Sequence, residues 1–175
     1  MPTQQRAGRP RYDRQATVQV RGVRMKIHQL SLFLENKPSQ LTEPCRLLAE
    51  AGIDIRTLTL ADTKQFGILR LIVSDWEKGA HLLDEAGYVV NVTEVVAVEV
   101  SDRPGGLAEL LGVFDKTDIN IEYMYAFTFG HGDTAVLIFR FNNPDAAIEQ
   151  LKSAGVNVVG STEVYRRIEK RSADL

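Results

Sequence analysis

The amino-acid sequence predicts an α+β protein made of two similar units, each with the order strand, helix, strand, strand, helix, strand. The first observation behind this prediction is an internal repeat, because residues of the second half align with residues 66 positions earlier. Alternating valines then coincide with alternating leucines, with Val96, Val98 and Val100 on Leu30, Leu32 and Leu34. The second observation is that both halves contain apolar segments of period two and of period three to four, which indicate strands and helices.

Eight strands are predicted from the segments of period two. In the first half they lie near residues 27–34, 53–61, 66–73 and 88–93. In the second half they lie near residues 94–100, 119–129, 134–141 and 156–165, with a hairpin turn at "GHGD", residues 130–133. Beyond this hairpin the offset between the halves becomes 68, so two residues have been added at a turn, where insertions are tolerated.

Helices connect these strands in both halves. In the second half an i, i+3, i+4, i+7 stripe predicts the first helix, and it consists of Leu107, Leu110, Leu111 and Phe114. Its counterpart in the first half contains Pro44, which lacks the N–H that a helix interior requires. We therefore expect this helix to begin at Thr42, with Pro44 in its first turn and a looser loop before it.

Right-handed crossovers between strands of one sheet turn each half into a ferredoxin-like βαββαβ unit with an antiparallel sheet and both helices on one face. The units are expected at residues 25–93 and 94–168, paired side by side as one eight-stranded sheet. Residues 1–24 contain six arginines and one aspartate, a net charge of +5, and lack a core pattern. They are predicted to be a disordered basic tail, and residues 169–175 a second tail. Nucleic-acid contact by the basic tail is disfavoured because Tyr12 is its one aromatic residue.

The composition is that of a soluble globular protein, with 175 residues, 44% of them hydrophobic and 25% charged. No apolar run approaches a membrane span and no secretory leader opens the sequence, so the expected location is the cytoplasm. The single cysteine, Cys45, aligns with Leu111 of the helical stripe and is interpreted as a small buried residue. His28, His81 and His131 lack the spacing of metal ligands, so no metal or cofactor is expected.

Two stretches carry a resemblance to a known family. Both "DRPGGLAELLGVFDKTDINIEYMYAF", residues 102–127, and "NKPSQLTEPCRLLAEAGIDIRTLTL", residues 36–60, resemble ACT domains, small regulatory modules that bind amino acids and adjust biosynthetic enzymes. The resemblance extends over residues 27–165, and "FGILRLIVSD", residues 66–75, is similar to stand-alone tandem ACT proteins.

The resemblance implies a ligand between adjacent ACT units, held by the loop after the first strand and by the start of the second strand. The residues concerned are Asn36, Lys37, Pro38, Ser39, Gln40, Leu41 and Asp54 in the first unit, and Asp102, Arg103, Pro104, Gly105, Gly106, Leu107, Asn120 and Ile121 in the second.

The chemistry of the 102–107 loop agrees with this implication. Gly105 and Gly106 permit positive φ and a close backbone approach to a carboxylate, and Asp102 or Asn120 can meet an ammonium group. We expect a side chain at residue 106 to abolish binding without unfolding the protein. The alternative is that Asp-Arg-Pro-Gly-Gly is only a strand-to-helix turn.

The first unit departs from this pattern. Ser39 and Gln40 stand where the second unit has Gly105 and Gly106, so its backbone is less approachable. Lys37, Ser39 and Gln40 are expected to contribute side-chain contacts instead. Equal occupancy of the two loops is therefore not expected.

One strand presents aromatic residues on a single face, and these are Tyr123, Tyr125, Phe127 and Phe129. Helices on one side of a sheet leave its other face open, and exposed apolar patches mark interfaces. We therefore expect a homodimer that covers the open face, although the aromatic residues can also be ordinary core.

The resulting interpretation is a non-catalytic, amino-acid-binding regulatory protein. A first alternative is a regulatory subunit of an amino-acid biosynthetic enzyme, such as the acetolactate synthase small subunit, which "GGLAELLGVF" resembles. A second alternative is a small ferredoxin-like enzyme. It is disfavoured because the sequence shows no acid-base pair and no nucleophile beside a base.

Overall fold

The computed structural model describes residues 24–62, 65–127 and 133–166. The predicted tails up to residue 23 and from residue 169, together with Phe129 and His131, lie outside the described residues. Within the described ranges, none of the helices has the length and apolar character needed to cross a membrane.

Eleven helices and strands have assigned bounds in the described residues. In chain order they are β1 (Lys26–Glu35), α1 (Thr42–Glu50), β2 (Ile55–Asp62), β3 (Phe66–Val73), α2 (Trp76–Glu85), β4 (Val90–Ser101), α3 (Gly106–Gly112), β5 (Ile121–Ala126), β6 (Thr134–Phe141), α4 (Pro144–Ser153) and β7 (Val158–Val159). Helix α1 begins at Thr42 and has Pro44 in its first turn, as its sequence predicts.

The strands form one sheet in the order β2-β3-β1-β4-β6-β5, with β7 beside β4. The strands predicted near residues 88–93 and 94–100 are one continuous strand, β4, because apolar residues alternate through both segments without a turn between them. Residues 90–96 of β4 pair with β1, and residues 96–101 pair with β6. The two ferredoxin-like units therefore share β4, and the sheet has seven strands instead of the expected eight.

All four helices cover the same face of this sheet. Val92 of β4 packs against the cluster that contains Leu48 and Leu83, whereas Val98 of β4 belongs to the cluster of Leu110 and Phe114. Because residues 92 and 98 lie on one face of a strand with period two, both helix pairs are on that face. Each unit thus has its own core, and β4 contributes to both.

The prediction of a final strand near residues 156–165 is wrong for most of its length, since β7 consists of Val158 and Val159. Only Val158 and Val159 pair, opposite Val98 and Ala97. A longer strand would next need Val96, but β1 already pairs with residues 90–96 on this side of β4. The chain then forms a helical segment over residues 161–166.

This helical segment packs on the sheet face opposite the helices. Val164 and Tyr165 pack there with Phe127 and Tyr125, over a cluster of fully or nearly fully buried residues. The cluster includes Ile27, Ile72, Val95, Ala97, Val136, Ile138 and Val159. Much of the face that we expected a second chain to cover is therefore covered by the chain itself.

Candidate functional site

The loop between β4 and α3 depends on its two glycines in different ways. Gly105 has a φ of +88°, in the left-handed region that favours glycine. Gly106 is buried, and a Cβ atom there would lie 2.1 Å from the carbonyl oxygen of Ser101. The fold itself therefore favours glycine at 106 before any ligand binds, because the loop would have to shift to accommodate a side chain. The expectation that a side chain at this position abolishes binding without unfolding the protein stays a prediction, and this contact adds a loss of stability to it.

The loop between β1 and α1 has the same backbone hydrogen bonds as the loop between β4 and α3. Lys37 N donates to Glu35 O at 2.8 Å, as Arg103 N donates to Ser101 O at 2.9 Å. Gln40 N donates to Lys37 O at 3.4 Å, the counterpart of the 3.0 Å bond from Gly106 to Arg103. The longer bond agrees with the side chain that Gln40 carries where Gly106 has none.

Ser39 takes the place of Gly105 in this first loop. Its φ is +70°, and among the described residues it is the one non-glycine residue with a positive φ. Helix α1 also begins two positions later, in the repeat alignment, than α3. The first loop is thus two residues longer than the second in the repeat alignment, and its Ser39 backbone is strained.

Each loop lies against the start of the strand that follows the hairpin of its unit. Asn36 N donates to Gln65 O at 3.0 Å, and Asp102 N donates to Asp133 O at 2.8 Å. Apart from the buried Gly106, the predicted site residues of both loops are exposed. The guanidinium of Arg103 is held by both carboxylate oxygens of Glu109, at 2.6 and 2.8 Å from Nη2.

The predicted site residues at the starts of β2 and β5 do not lie beside these loops. Asp54 pairs through Oδ2 with Nη1 of Arg56 at 2.9 Å, and its backbone N–H donates to Ser74 Oγ. Asn120 exchanges hydrogen bonds with Asn142, whose Oδ1 accepts from Asn120 N at 2.9 Å. The next residue, Ile121, is half-buried and packs against the core of the second unit.

A single unit does not bring its loop and its strand start together. In the second unit Thr134 pairs with Ser101 beside the loop, whereas Phe141 pairs with Ile121 at the other end of β6. These ends are seven residues apart, which is about 23 Å along an extended strand. The first unit has the same topology, so Asp54 is likewise remote from residues 36–41.

Sequence reasoning missed a cleft of about 370 Å³ on the helix face of the second unit. Its polar lining residues are Glu99, Ser101, Glu109, Thr134 and Asn157, and its apolar ones include Val100, Leu110, Val113 and Val156. Of the predicted site residues only Gly106 lines it. In the repeat alignment Val156 corresponds to Tyr88, so a larger side chain stands at this position in the first unit.

Sequence reasoning also missed a buried polar cluster on the other sheet face, here termed the Gln29 cluster. It consists of Gln29, Ser31, Thr93, Tyr123 and Tyr125. Nε2 of Gln29 donates to Tyr123 Oη at 2.7 Å, and Oε1 accepts from Tyr125 Oη at 2.9 Å. Ser31 Oγ and Thr93 Oγ1 lie 3.1 and 3.3 Å from the same nitrogen. Polar residues at alternate positions of an otherwise apolar strand are the signal that could have identified this cluster.

Burial and a cation–π contact both stabilise the Gln29 cluster. Gln29 has 0% of its surface exposed. Burial raises the pKa of the Tyr125 phenol, which therefore stays protonated and donates to Gln29. The guanidinium of Arg70 stacks on the ring of Tyr123, 4.1 Å from its centroid.

Residues with catalytic potential are engaged in packing. His28 stacks on Trp76 with ring centroids 4.2 Å apart, and its pKa is lowered chiefly by burial. Burial also raises the pKa of the Cys45 thiol, which opposes thiolate formation. In the part of the chain that the structure describes, no three His, Cys, Asp or Glu residues are grouped to hold a metal ion.

Two ferredoxin-like units on a common sheet, with the same hydrogen bonds in the loop after each first strand, form the architecture of a tandem ACT-type protein. A family model described as an ACT domain pair matches residues 25–167, and the chain belongs to this family.

Solved structures agree with this assignment. Protein BT0572 from Bacteroides thetaiotaomicron is 38% identical, with a TM-score of 0.75, covering 82% of this chain and 99% of its own. The ligand-free regulatory subunit of aspartate kinase from Thermus thermophilus is 15% identical, with a TM-score of 0.54, covering 76% of this chain and 95% of its own. The latter similarity concerns the fold alone. Comparison with curated proteins gives no match.

Proposed function

We propose that this protein is a non-catalytic sensor that binds a free amino acid between ACT units. The observation that carries the proposal is the common backbone path of the two exposed loops, 36–41 and 102–107. Each contains one residue in the left-handed conformation, Ser39 or Gly105. A geometry that is kept at both positions, at the cost of strain at Ser39, is typical of a functional loop.

The ligand is recognised by its charged ends. Its carboxylate receives hydrogen bonds from the loop backbone, and its ammonium group is bound by a carboxylate or carbonyl at a strand start, Asp54 or Asn120. Asp54 suits this role because its side chain is 63% exposed while Oδ2 remains paired with Arg56. Charge-assisted hydrogen bonds at both ends provide orientation as well as affinity.

A second copy of the chain completes the site in this proposal. The loop and the strand start of one unit lie at opposite ends of the sheet, so the second half of the site comes from elsewhere. Strand β2 is an edge of the sheet, and it exposes 47% of Leu58 and 48% of Leu60. An exposed apolar edge strand is a surface for pairing with another strand.

The order of residues in β2 suits antiparallel pairing with itself. If Thr59 faces Thr59 of the second copy, Leu58 lies opposite Leu60. Cross-strand side-chain pairs each stabilise such a ladder by roughly 0.2–1 kcal/mol.

This register also brings the separated site residues together. Asp54 of the second copy then lies towards the Asp62 end of β2, which is the end of the sheet where Gln65 O accepts from Asn36 N. The strand start of one chain thus reaches the loop end of the other. We therefore place the dimer interface at the β2 edge and no longer at the open sheet face.

The second candidate function is a regulatory subunit docked to an amino-acid biosynthetic enzyme. It is favoured by the fold similarity to the regulatory subunit of aspartate kinase. Affinity capture from native cells followed by mass spectrometry separates the two roles. A catalytic protein recovered in stoichiometric amount supports the subunit, whereas its absence supports a free sensor.

A thermal-shift panel of the common amino acids tests the sensor directly. A ligand at about 100 times its Kd stabilises the folded state by roughly 2.7 kcal/mol. For a chain of this length that corresponds to a rise in Tm of about 5 to 11 °C. If no amino acid moves the midpoint, the sensor proposal fails.

A further inference from the structure

The Gln29 cluster joins the two units across the open face of the sheet. Gln29 lies on β1 of the first unit, whereas Tyr123 and Tyr125 lie on β5 of the second. Strands β4 and β6 separate β1 from β5, so these side chains span two intervening strands. Thr93 Oγ1 on β4, 3.3 Å from Gln29 Nε2, fills part of that span.

The hydrogen bonds of Gln29 depend strongly on geometry. The amide nitrogen has two N–H groups and three acceptors within 3.3 Å, on Tyr123, Ser31 and Thr93. A displacement of β5 relative to β1 would leave a buried amide or phenol without its partner. Unpaired buried polar groups are unfavourable, so the arrangement of the cluster resists small relative movements of the units.

The two strands joined by this cluster also carry parts of both proposed sites. Strand β1 ends at Glu35 and leads into the loop 36–41. Strand β5 begins at Ile121, next to Asn120. A rigid strand that moves at one end transmits the movement to side chains along its length, and here those side chains meet in one cluster.

We propose that Gln29 couples the two units, so that a change at the start of β5 is transmitted to the loop after β1. The extension of this coupling to ligand binding rests on the proposed function: occupancy of one site alters affinity at the other. Such coupling is reciprocal, and it requires evidence beyond spatial proximity.

The first test needs no ligand and uses nuclear magnetic resonance of the full chain. Asn142→Ala removes the side-chain acceptor of Asn120 N–H and so perturbs the start of β5. We expect the backbone amide resonances of Glu35 and Asn36 to shift in this variant. The same substitution in a Gln29→Met background should leave them unchanged, because methionine preserves volume but makes none of the cluster's hydrogen bonds.

A matched control removes a glutamine hydrogen bond that stays within one unit. Gln150 Nε2 donates to Val113 O at 3.2 Å inside the second unit. In a Gln150→Met background, Asn142→Ala should still shift the two resonances. Shifts that persist in Gln29→Met, or that are absent from Asn142→Ala alone, overturn the proposal.

The second test is a calorimetric titration with the amino acid that gives the largest thermal shift. Two coupled sites should give a Hill coefficient different from one in the wild-type protein and equal to one in Gln29→Met, with mean affinity changed less than threefold. Identical cooperativity in both proteins overturns the coupling of binding. If no amino acid binds but the resonance shifts depend on Gln29, the proposed function fails and the coupling of the units stands.

Discussion

Tyr125 on β5 donates its phenolic hydrogen to the side-chain oxygen of Gln29 on β1, with 2.9 Å between the two oxygen atoms. This contact joins residues that are 96 positions apart in the sequence and belong to different ACT units. In the described part of the chain, this buried polar contact thus joins the two units in addition to the shared strand β4 and the apolar cluster that contains Ile27 and Val136.

The pH dependence of stability tests the burial of Tyr125. Its pKa is raised in the folded state chiefly by burial, so its contribution to stability is complete below the unfolded pKa of about 10 and decreases as the pH rises above it. We expect Tyr125→Phe to lose about 1 kcal/mol at pH 7, from the missing hydrogen bond. Its stability should then fall less steeply than that of the wild type between pH 9.5 and 11. Urea unfolding across this range provides the measurement, and parallel curves would contradict the assignment.

Gly106→Ala should destabilise the protein in the absence of ligand. The new Cβ atom would meet the Ser101 carbonyl oxygen at 2.1 Å, so the loop has to move, at a cost of roughly 2 kcal/mol or more. Gly112→Ala is the matched control, since its Cβ would find only Asp115 Oδ2 at 3.8 Å and alanine favours the helix. Denaturant unfolding compares the two. Equal stability of both variants would show that the loop accommodates a side chain.

Gly105→Ser and Ser39→Gly, which exchange the two residues of positive φ, should change the stability of the protein in opposite directions. Gly105→Ser places a side chain at φ +88° and is expected to cost about 1–2 kcal/mol. Ser39→Gly relieves the same strain at φ +70° and should stabilise by up to about 1 kcal/mol. Thermal unfolding of both variants is the measurement. Destabilisation by Ser39→Gly would mean that the serine hydroxyl compensates for its backbone strain.

Leu58→Lys should convert a dimer to a monomer without unfolding it. The side chain is 47% exposed, so lysine is tolerated in the monomer. At a β2-β2 interface, however, each lysine would face Leu60 of the other copy and break the apolar pair. Val89→Lys is the control, because Val89 is 68% exposed and lies outside β2. Sedimentation velocity should detect dimers for the wild type and Val89→Lys only. A wild-type monomer, or a dimeric Leu58→Lys, would exclude this interface.

Removal of residues 1–23 should leave the unfolding midpoint nearly unchanged. The truncation stops before Arg24 because its carbonyl oxygen accepts from Ser161 N at 2.7 Å, a contact that holds the start of the helical segment 161–166. Thermal unfolding of the truncated chain is the measurement. A large loss of stability would show that the basic segment packs on the sheet.

The repeated elements of the fold could be predicted because their signals are local. Periodicity placed β3 at 66–73 and β6 at 134–141 with the bounds that the structure has, and Pro44 correctly indicated the start of α1. The shared strand and the short β7 could not be predicted in this way. They depend on competition for one side of β4, where β1 takes the positions that a longer β7 would need.

Less of the candidate site could be predicted from the sequence, because its geometry also depends on contacts between distant strands. The positive φ of Gly105 could be expected from its residue type, whereas that of Ser39 could not. The distance between Asp54 and residues 36–41 depends on strand directions across the sheet. The Gln29 cluster depends on long-range geometry as well, since its partners Tyr123 and Tyr125 were recognised only as one face of a strand. The alternating polar residues of β1 indicate that a polar cluster exists, but the local sequence does not identify hydrogen-bond partners that are 94 and 96 positions away.

Amino-acid binding by the dimer and by its monomeric variant is the most direct test of the central claim. Calorimetric titration of the wild type and Leu58→Lys should use the amino acid that gives the largest thermal shift, with Val89→Lys as control. If the loop of one chain and Asp54 of the other form the site, the wild type and Val89→Lys bind with equal affinity and Leu58→Lys binds at least tenfold more weakly. Equal binding by a monomeric Leu58→Lys, or no binding of any amino acid by the wild type, would contradict the claim.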